Sequence, residues 1–228
     1  MSRVMDRTYA SLPLRSVAAL AMMLTLALSG CESTPGASSA PRAATYAEAT
    51  KIIDSSFSAH GQAGLDRLQQ DALQKACSSP TPPPADMTKA LEATEAAKIL
   101  PPPDGRYLGD WRAGEKLAQN GRGMTWSDKA DAPNGGNCYN CHQLSDKEIS
   151  FGTLGPSLHH YGKGRGISDP TSPQAMAIVQ YTWGKLYDAK AGNACSIMPR
   201  FGAAHILTTK QMQDIMALLL DPNSPVNQ

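Results

Sequence analysis

Cys138, Cys141 and His142 stand in the order C-x-x-C-H within Cys138-Tyr139-Asn140-Cys141-His142. Two thiols two residues apart, followed at once by an imidazole, are the groups needed to attach a haem through thioether bonds and to ligate its iron. The spacing lets one turn of chain reach both vinyl groups on one porphyrin edge, and it leaves the histidine beside the metal. Two other chemistries use a C-x-x-C pair. A zinc site needs two further ligands at a similar spacing, and neither a second C-x-x-C nor an H-x-x-x-H occurs. A thioredoxin-type redox pair belongs near a βαβ pattern, which this sequence lacks. The reading is one covalently attached haem c.

Such an iron takes two axial ligands. His142 is the expected first one, and its second ring nitrogen then needs an acceptor that fixes the ring. The carbonyl of Pro156, in Gly155-Pro156-Ser157-Leu158, is the candidate; a simple turn is the alternative. The second ligand comes from ten methionines and four other histidines. Met198 lies on a loop, before a proline and between two amphipathic helices, and is the expected choice. Met176, Met212 and Met216 fall on apolar helix faces and are expected in the core. His159 and His160 follow His142 too closely to reach the opposite face, His60 reads as a solvated loop residue, and His205 is the serious competitor. Arg165 and Arg200 are expected to be solvated rather than at the haem propionates. A His/Met pair raises the reduction potential, which suits electron acceptance, and its closed coordination disfavours a sensor or peroxidase.

The elements that would carry these residues are helical. Residues 1–30 read as an export signal: Arg3, Arg7 and Arg15 precede an apolar run over 17–28 that is too short to span a bilayer. The run ends in Leu28-Ser29-Gly30-Cys31, which resembles a lipoprotein signal with Cys31 as the acylated residue; a plain leader with an incidental cysteine is the alternative. Either places the mature protein in the periplasm, where covalent haem is attached. Residues 31–45 are a small-residue tether. Residues 46–106 are two or three helices bounded by proline runs: one over 46–77 broken at 58–64, and one from a cap at Asp86 to Leu100. They hold too few large apolar residues for a core of their own. Residues 107–228 carry a helix over 109–120, a glycine-rich approach over 121–136, a helix opened by Ser172-Pro173, and a last helix from Thr208 or Thr209 to Leu220. The stripes Met176, Val179, Trp183, Leu186 and Met212, Ile215, Met216, Leu219 recur at helical steps. The fold class is all-α, in a haem-wrapping order.

Composition agrees with a small, loop-rich core: 18% charged and 6% aromatic residues, with seventeen prolines and nineteen glycines. The net charge is +1. The three leader arginines against Asp6 leave 18 basic and 19 acidic residues elsewhere. This balance does not suggest a nucleic-acid partner, which would need a clustered basic face.

Several stretches together resemble the SoxX family, the monohaem cytochrome c subunits of the SoxAX complex of sulfur-oxidising bacteria. They are Gly109-Asp110-Trp111-Arg112-Ala113-Gly114-Glu115-Lys116-Leu117-Ala118, the glycine-rich approach, the haem motif with Gln143-Leu144, Gly152-Thr153-Leu154-Gly155-Pro156-Ser157-Leu158, Met198-Pro199-Arg200-Phe201-Gly202, and the ending over 207–226. The resemblance covers residues 107–228 and implies a class I cytochrome c-like domain. It implies that Cys138 and Cys141 attach the haem and that His142 and Met198 ligate the iron. The implied activity is that of an L-cysteine S-thiosulfotransferase: SoxAX joins thiosulfate to a cysteine of the carrier protein SoxYZ and releases two electrons. The nucleophile belongs to the partner SoxA, so no catalytic side chain is assigned in this chain, which would pass electrons to a soluble cytochrome c. A free-standing periplasmic electron carrier, or a c-type subunit of another oxidoreductase, is the alternative. The chain departs from short members of the family over 32–106 and in its lipid anchor. Cys77 and Cys195 remain; in an oxidising compartment they suggest a disulfide within the chain, with a bond to SoxA or free thiols as alternatives. A sulfur-handling role for Cys195 is disfavoured, because the resemblance places that role on the partner.

Overall fold

Four of the six α-helices begin where a side chain takes up an amide that the first helical turn leaves free. The computed structural model describes residues 45–228, which form one compact unit. The export signal, Cys31 and residues 31–44 of the tether lie outside the described residues. Capping boxes open α1 (Tyr46–Ser56) at Thr45 and Glu48, α2 (Ala72–Cys77) at Asp71 and Gln74, and α6 (Thr209–Leu220) at Thr208 and Gln211. Asp110 caps α4 (Trp111–Gln119) through the Arg112 amide. Ser172 caps a 3-10 turn, Pro173–Ala175, that runs into α5 (Met176–Tyr187), with proline at its first position. Among the described residues there is no β-strand, so the all-α class holds.

One helix differs from the sequence reading. The third helix, α3 (Ala85–Ala96), follows Pro84 without a side-chain cap, so Asp86 sits in the first turn rather than at the cap. There its carboxylate still meets the favourable end of the helix dipole. The helix stops four residues short of Leu100. Pro101 disfavours helical backbone at the residue before it, and the freed Leu100 carbonyl accepts the indole N–H of Trp183 at 2.8 Å. Residues 65–68 likewise form a 3-10 turn rather than part of a long helix.

The core is built on α6, where every residue from Met212 to Leu220 is buried. The expected stripe of Met212, Ile215, Met216 and Leu219 is therefore only part of what it hides. α4 crosses α6 closely because Gly114 has no side chain: a Cβ there would overlap the Asp214 carbonyl. The buried Asp214 carboxylate accepts the Asp110 amide at 2.7 Å and pairs with Lys210, while Gly109 N–H donates to the Gln213 carbonyl at 2.8 Å. From α5, Val179, Trp183 and Leu186 complete the apolar cluster, and Tyr107 stacks edge-on to Trp183 at 5.6 Å. Burial of such side chains is worth about 1.5–3 kcal/mol each. Asn227, buried in the tail, accepts the Gly162 and Lys163 amides and donates to the Leu219 and Asp221 carbonyls, closing the far end of α6.

Gly114→Val forces a branched side chain into the α4–α6 contact and should lower unfolding stability by roughly 3 kcal/mol in urea titrations. Gly164→Ala, at a position with open space around it, should change stability by less than about 0.5 kcal/mol.

Candidate functional site

The approach to the motif is fastened residue by residue. Gly135 N–H donates to the Arg122 carbonyl, Gly136 to Leu117 and Asn137 to Asn120, at 2.8–3.1 Å, so the loop zips back onto the end of α4. Asn134 then bridges to the start of the last helix, donating to the Ile206 carbonyl and accepting from Gln211. Asn137 adopts left-handed backbone at φ 51°, which asparagine tolerates, and turns the chain into a 3-10 turn, Cys138–Asn140. The Cys141 and His142 amides both donate to the Cys138 carbonyl, which places the two thiols and the imidazole on one turn.

A second segment straps this turn down. Gly152, Gly155 and Leu158 donate to the carbonyls of Tyr139, Cys141 and Gln143 at 2.7–2.8 Å. Gly152 must be bare, because a Cβ would overlap the Asn140 carbonyl; at Gly155 it would overlap the His142 ring itself. The imidazole therefore lies flat on the backbone of Gly155, with Nδ1 2.7 Å from the Pro156 carbonyl oxygen. With Nδ1 so held as the donor, Nε2 is left as the ring's lone-pair nitrogen, and no described group bonds it.

Both cysteines of the motif are free thiols, half-buried, and not paired with each other. Burial pushes the Cys138 thiol up to about 12. Among the described residues no three His, Cys, Asp or Glu side chains gather as a metal site. The donor set suits a covalently attached group held by two sulfurs and ligated by one oriented imidazole. Large apolar side chains flank it: Ile149, Phe151 and Leu154 follow the motif and Ile197 precedes Met198, all exposed.

Met198 is half-buried and packs against the same apolar cluster as Cys138. Its loop is held by Phe201, which is buried, and by Gly202, where a Cβ would press on the Tyr187 ring; the Gly202 and Ala203 amides both donate to the Tyr187 carbonyl. Arg200 is not the solvated arginine the sequence suggested. It pairs with Asp71 at 2.9 Å and lies 3.9 Å from Glu95, because the N-terminal helices bring both carboxylates to it. Burial pushes the Asp71 carboxyl up, but the Gln74 amide and Arg200 outweigh that and hold it below its usual range. Cys77 and Cys195 form a disulfide within the chain, and the Ala194 amide donates to Glu92 at 3.1 Å. The disulfide is the one the two spare cysteines suggested; the carboxylate partners Asp71, Glu92 and Glu95 were not legible, since nothing in sequence spacing links them to residues about a hundred positions away. Asp188 is fully buried beside this cluster: one oxygen accepts the Lys190 amide and the other has no partner.

The other candidates lie in the core, pair with other groups or are exposed. Met212 and Met216 are buried in the core, and Met176 packs on its edge. His159 lies 3.3 Å from Asp146, His160 is 2.5 Å from the Gln228 carbonyl, and His205 is exposed on a left-handed turn. His60 is exposed, near Ser58. Arg165 stacks on Tyr161 at 3.6 Å.

No family model matches the chain. A protein of Aquifex aeolicus (strain VF5), described as an uncharacterized lipoprotein, is 37% identical to it over 163 residues, which is 70% of this chain and 73% of that protein.

Burial raises the Asp188 carboxyl above its ordinary range, with Glu95 adding to the rise and the Lys190 amide opposing it. A raised native value means that the stabilising contribution is full below the ordinary carboxylate range and is lost as pH rises through the native value. Asp188→Asn should therefore match the parent in thermal unfolding near pH 4 and exceed it at pH 7; equal melting temperatures at both would contradict this.

Proposed function

We propose, from the premise that this chain belongs to one family with the Aquifex aeolicus lipoprotein, that it is a periplasmic c-type cytochrome tethered to a membrane through a lipid on Cys31. The relative's description supports the lipid anchor, and no helix among the described residues is long and apolar enough to cross a bilayer. The observation that carries the haem reading is the His142 ring, laid on bare Gly155 and fixed through Nδ1 to Pro156, one residue from an unpaired C-x-x-C.

In this reading Cys138 and Cys141 would hold the porphyrin as thioethers, and His142 through Nε2 and Met198 would ligate its iron. Covalent haem held there supplies a one-electron couple, and a His/Met pair sets it toward the higher end of the haem range. Pro156 keeps the ring in one tautomer and one orientation, which raises its basicity as a ligand. The domain is read as class I cytochrome c-like.

The wider role is that of the SoxX-type subunit of a SoxAX assembly. There thiosulfate and a cysteine thiol of SoxYZ form an S–S bond, releasing one proton and two electrons. The nucleophile lies on SoxA; this chain accepts the electrons singly and hands them to a soluble cytochrome c. No side chain here needs to act as acid, base or nucleophile.

Produced with a c-type maturation system, the protein should be coloured and carry one haem that survives denaturation in its intact mass; Cys138→Ser/Cys141→Ser should abolish it. Colourless parent protein would end the reading. The haem of the loaded protein should be reduced by thiosulfate only when SoxA and SoxYZ are both present, and reduction by thiosulfate without them would contradict the assembly.

A further inference from the structure

We propose that α2 and α3 act as a clasp on the Met198 loop, making Asp71, Cys77, Glu92 and Glu95 positioning residues for the second ligand. The inference rests on the reading of Met198 given above.

The fastenings bracket Met198 on both sides. Before it, the Ala194 amide donates to Glu92 of α3, and Cys195 is bonded to Cys77 at the end of α2. After it, Arg200 pairs with Asp71 at the start of α2 and faces Glu95 of α3. Between these points the loop's own ties are few: Ile197 and Pro199 are exposed, the Met198 amide reaches Ser196 Oγ at 3.2 Å, the Ser196 carbonyl accepts from Lys190 Nζ at 2.9 Å, and the Met198 side chain packs half-buried on the apolar cluster. α3 is itself tied to the haem-bearing half, because its trailing Leu100 carbonyl accepts from Trp183. A loop whose anchors lie outside it opens as readily as those anchors allow.

That opening is measurable. A thioether is a weak neutral ligand, and imidazole replaces it only when the loop moves away. Observed imidazole affinity is then the intrinsic affinity multiplied by the open fraction. Each fastening removed should raise that fraction, and imidazole should bind correspondingly tighter.

The test uses the haem-loaded ferric protein at 25 °C, with imidazole titrated against the far-red absorption band of methionine-ligated haem. Cys77→Ser/Cys195→Ser should bind imidazole about tenfold tighter or more, equivalent to about 1.4 kcal/mol. Asp71→Asn keeps an oxygen to cap α2 but removes the charge facing Arg200, and should bind about threefold tighter. If the cysteine variant fails to fold, Asp71→Asn and Glu92→Ala decide. Lowered melting temperature with unchanged imidazole affinity would mean these contacts only stabilise the fold, and would overturn the clasp. Met198→Ala separates the two readings. Loss of the band there with unchanged affinity in the clasp variants removes the clasp alone; a band that survives in Met198→Ala, or is missing from the parent, removes the ligand assignment and the clasp with it.

Discussion

The close crossing of α4 over α6 is the constraint on which the remaining structure depends. Gly114 lets the two backbones meet at the Asp214 carbonyl, and Gly109 and Asp110 hydrogen-bond across the same contact. Once α4 is fixed in this way, the carbonyls at its end, Leu117 and Asn120, are fixed too. They receive the amides of Gly136 and Asn137, so the position of the C-x-x-C turn follows from the crossing. The cavity cost of a poor fit here is therefore felt in the site as well as in the core.

Much of this was legible in the sequence because it is local. The cap at Ser172, the start of the last helix near Thr208, the apolar steps of α5 and α6, and the C-x-x-C-H turn all depend on residues a few positions apart. Where the reading missed, a distant partner had decided the outcome. The sequence reading carries α3 to Leu100, yet the helix ends at Ala96, Trp183 takes the Leu100 carbonyl and Pro101 disfavours helical backbone at the residue before it. Arg200 read as solvated because its two carboxylates lie in a different stretch of chain. Glycine was the most under-read residue. Gly114, Gly152, Gly155 and Gly202 each face a backbone or ring, and only the fold shows which one.

The N-terminal helices show a different economy from the core. Over residues 45–100 only Leu73 and Glu95 are buried, while Ile52, Phe57, Leu65 and Met87 are exposed. Hydrophobic burial therefore contributes little to holding them. What holds them is a set of point fastenings: the disulfide, the Arg200 pairs, the Trp183 bond, and the contacts of residues 60–67 with the 123–128 loop. In the last, Gln62 and Arg67 donate to the Asp128 and Met124 carbonyls. A covalent link across 118 residues suits such a segment, since closing a long loop removes more entropy from the unfolded chain than closing a short one.

The two sides of the proposed iron site are thus held by different physics. His142 is fixed by three backbone bonds and a bare glycine, groups that neither titrate nor respond to redox state. The Met198 loop shares such backbone bonds after Phe201, on the Tyr187 carbonyl, but around Met198 itself it is fixed by a disulfide, which responds to redox state, and by carboxylates, which titrate. Salt, pH and reductant act on the second set and leave the first untouched. If the proposed haem is held there, the His142 side would keep its geometry constant while the hold on Met198 would follow the compartment around it. The oxidising periplasm, which the sequence independently points to, is the setting in which that hold would be strongest.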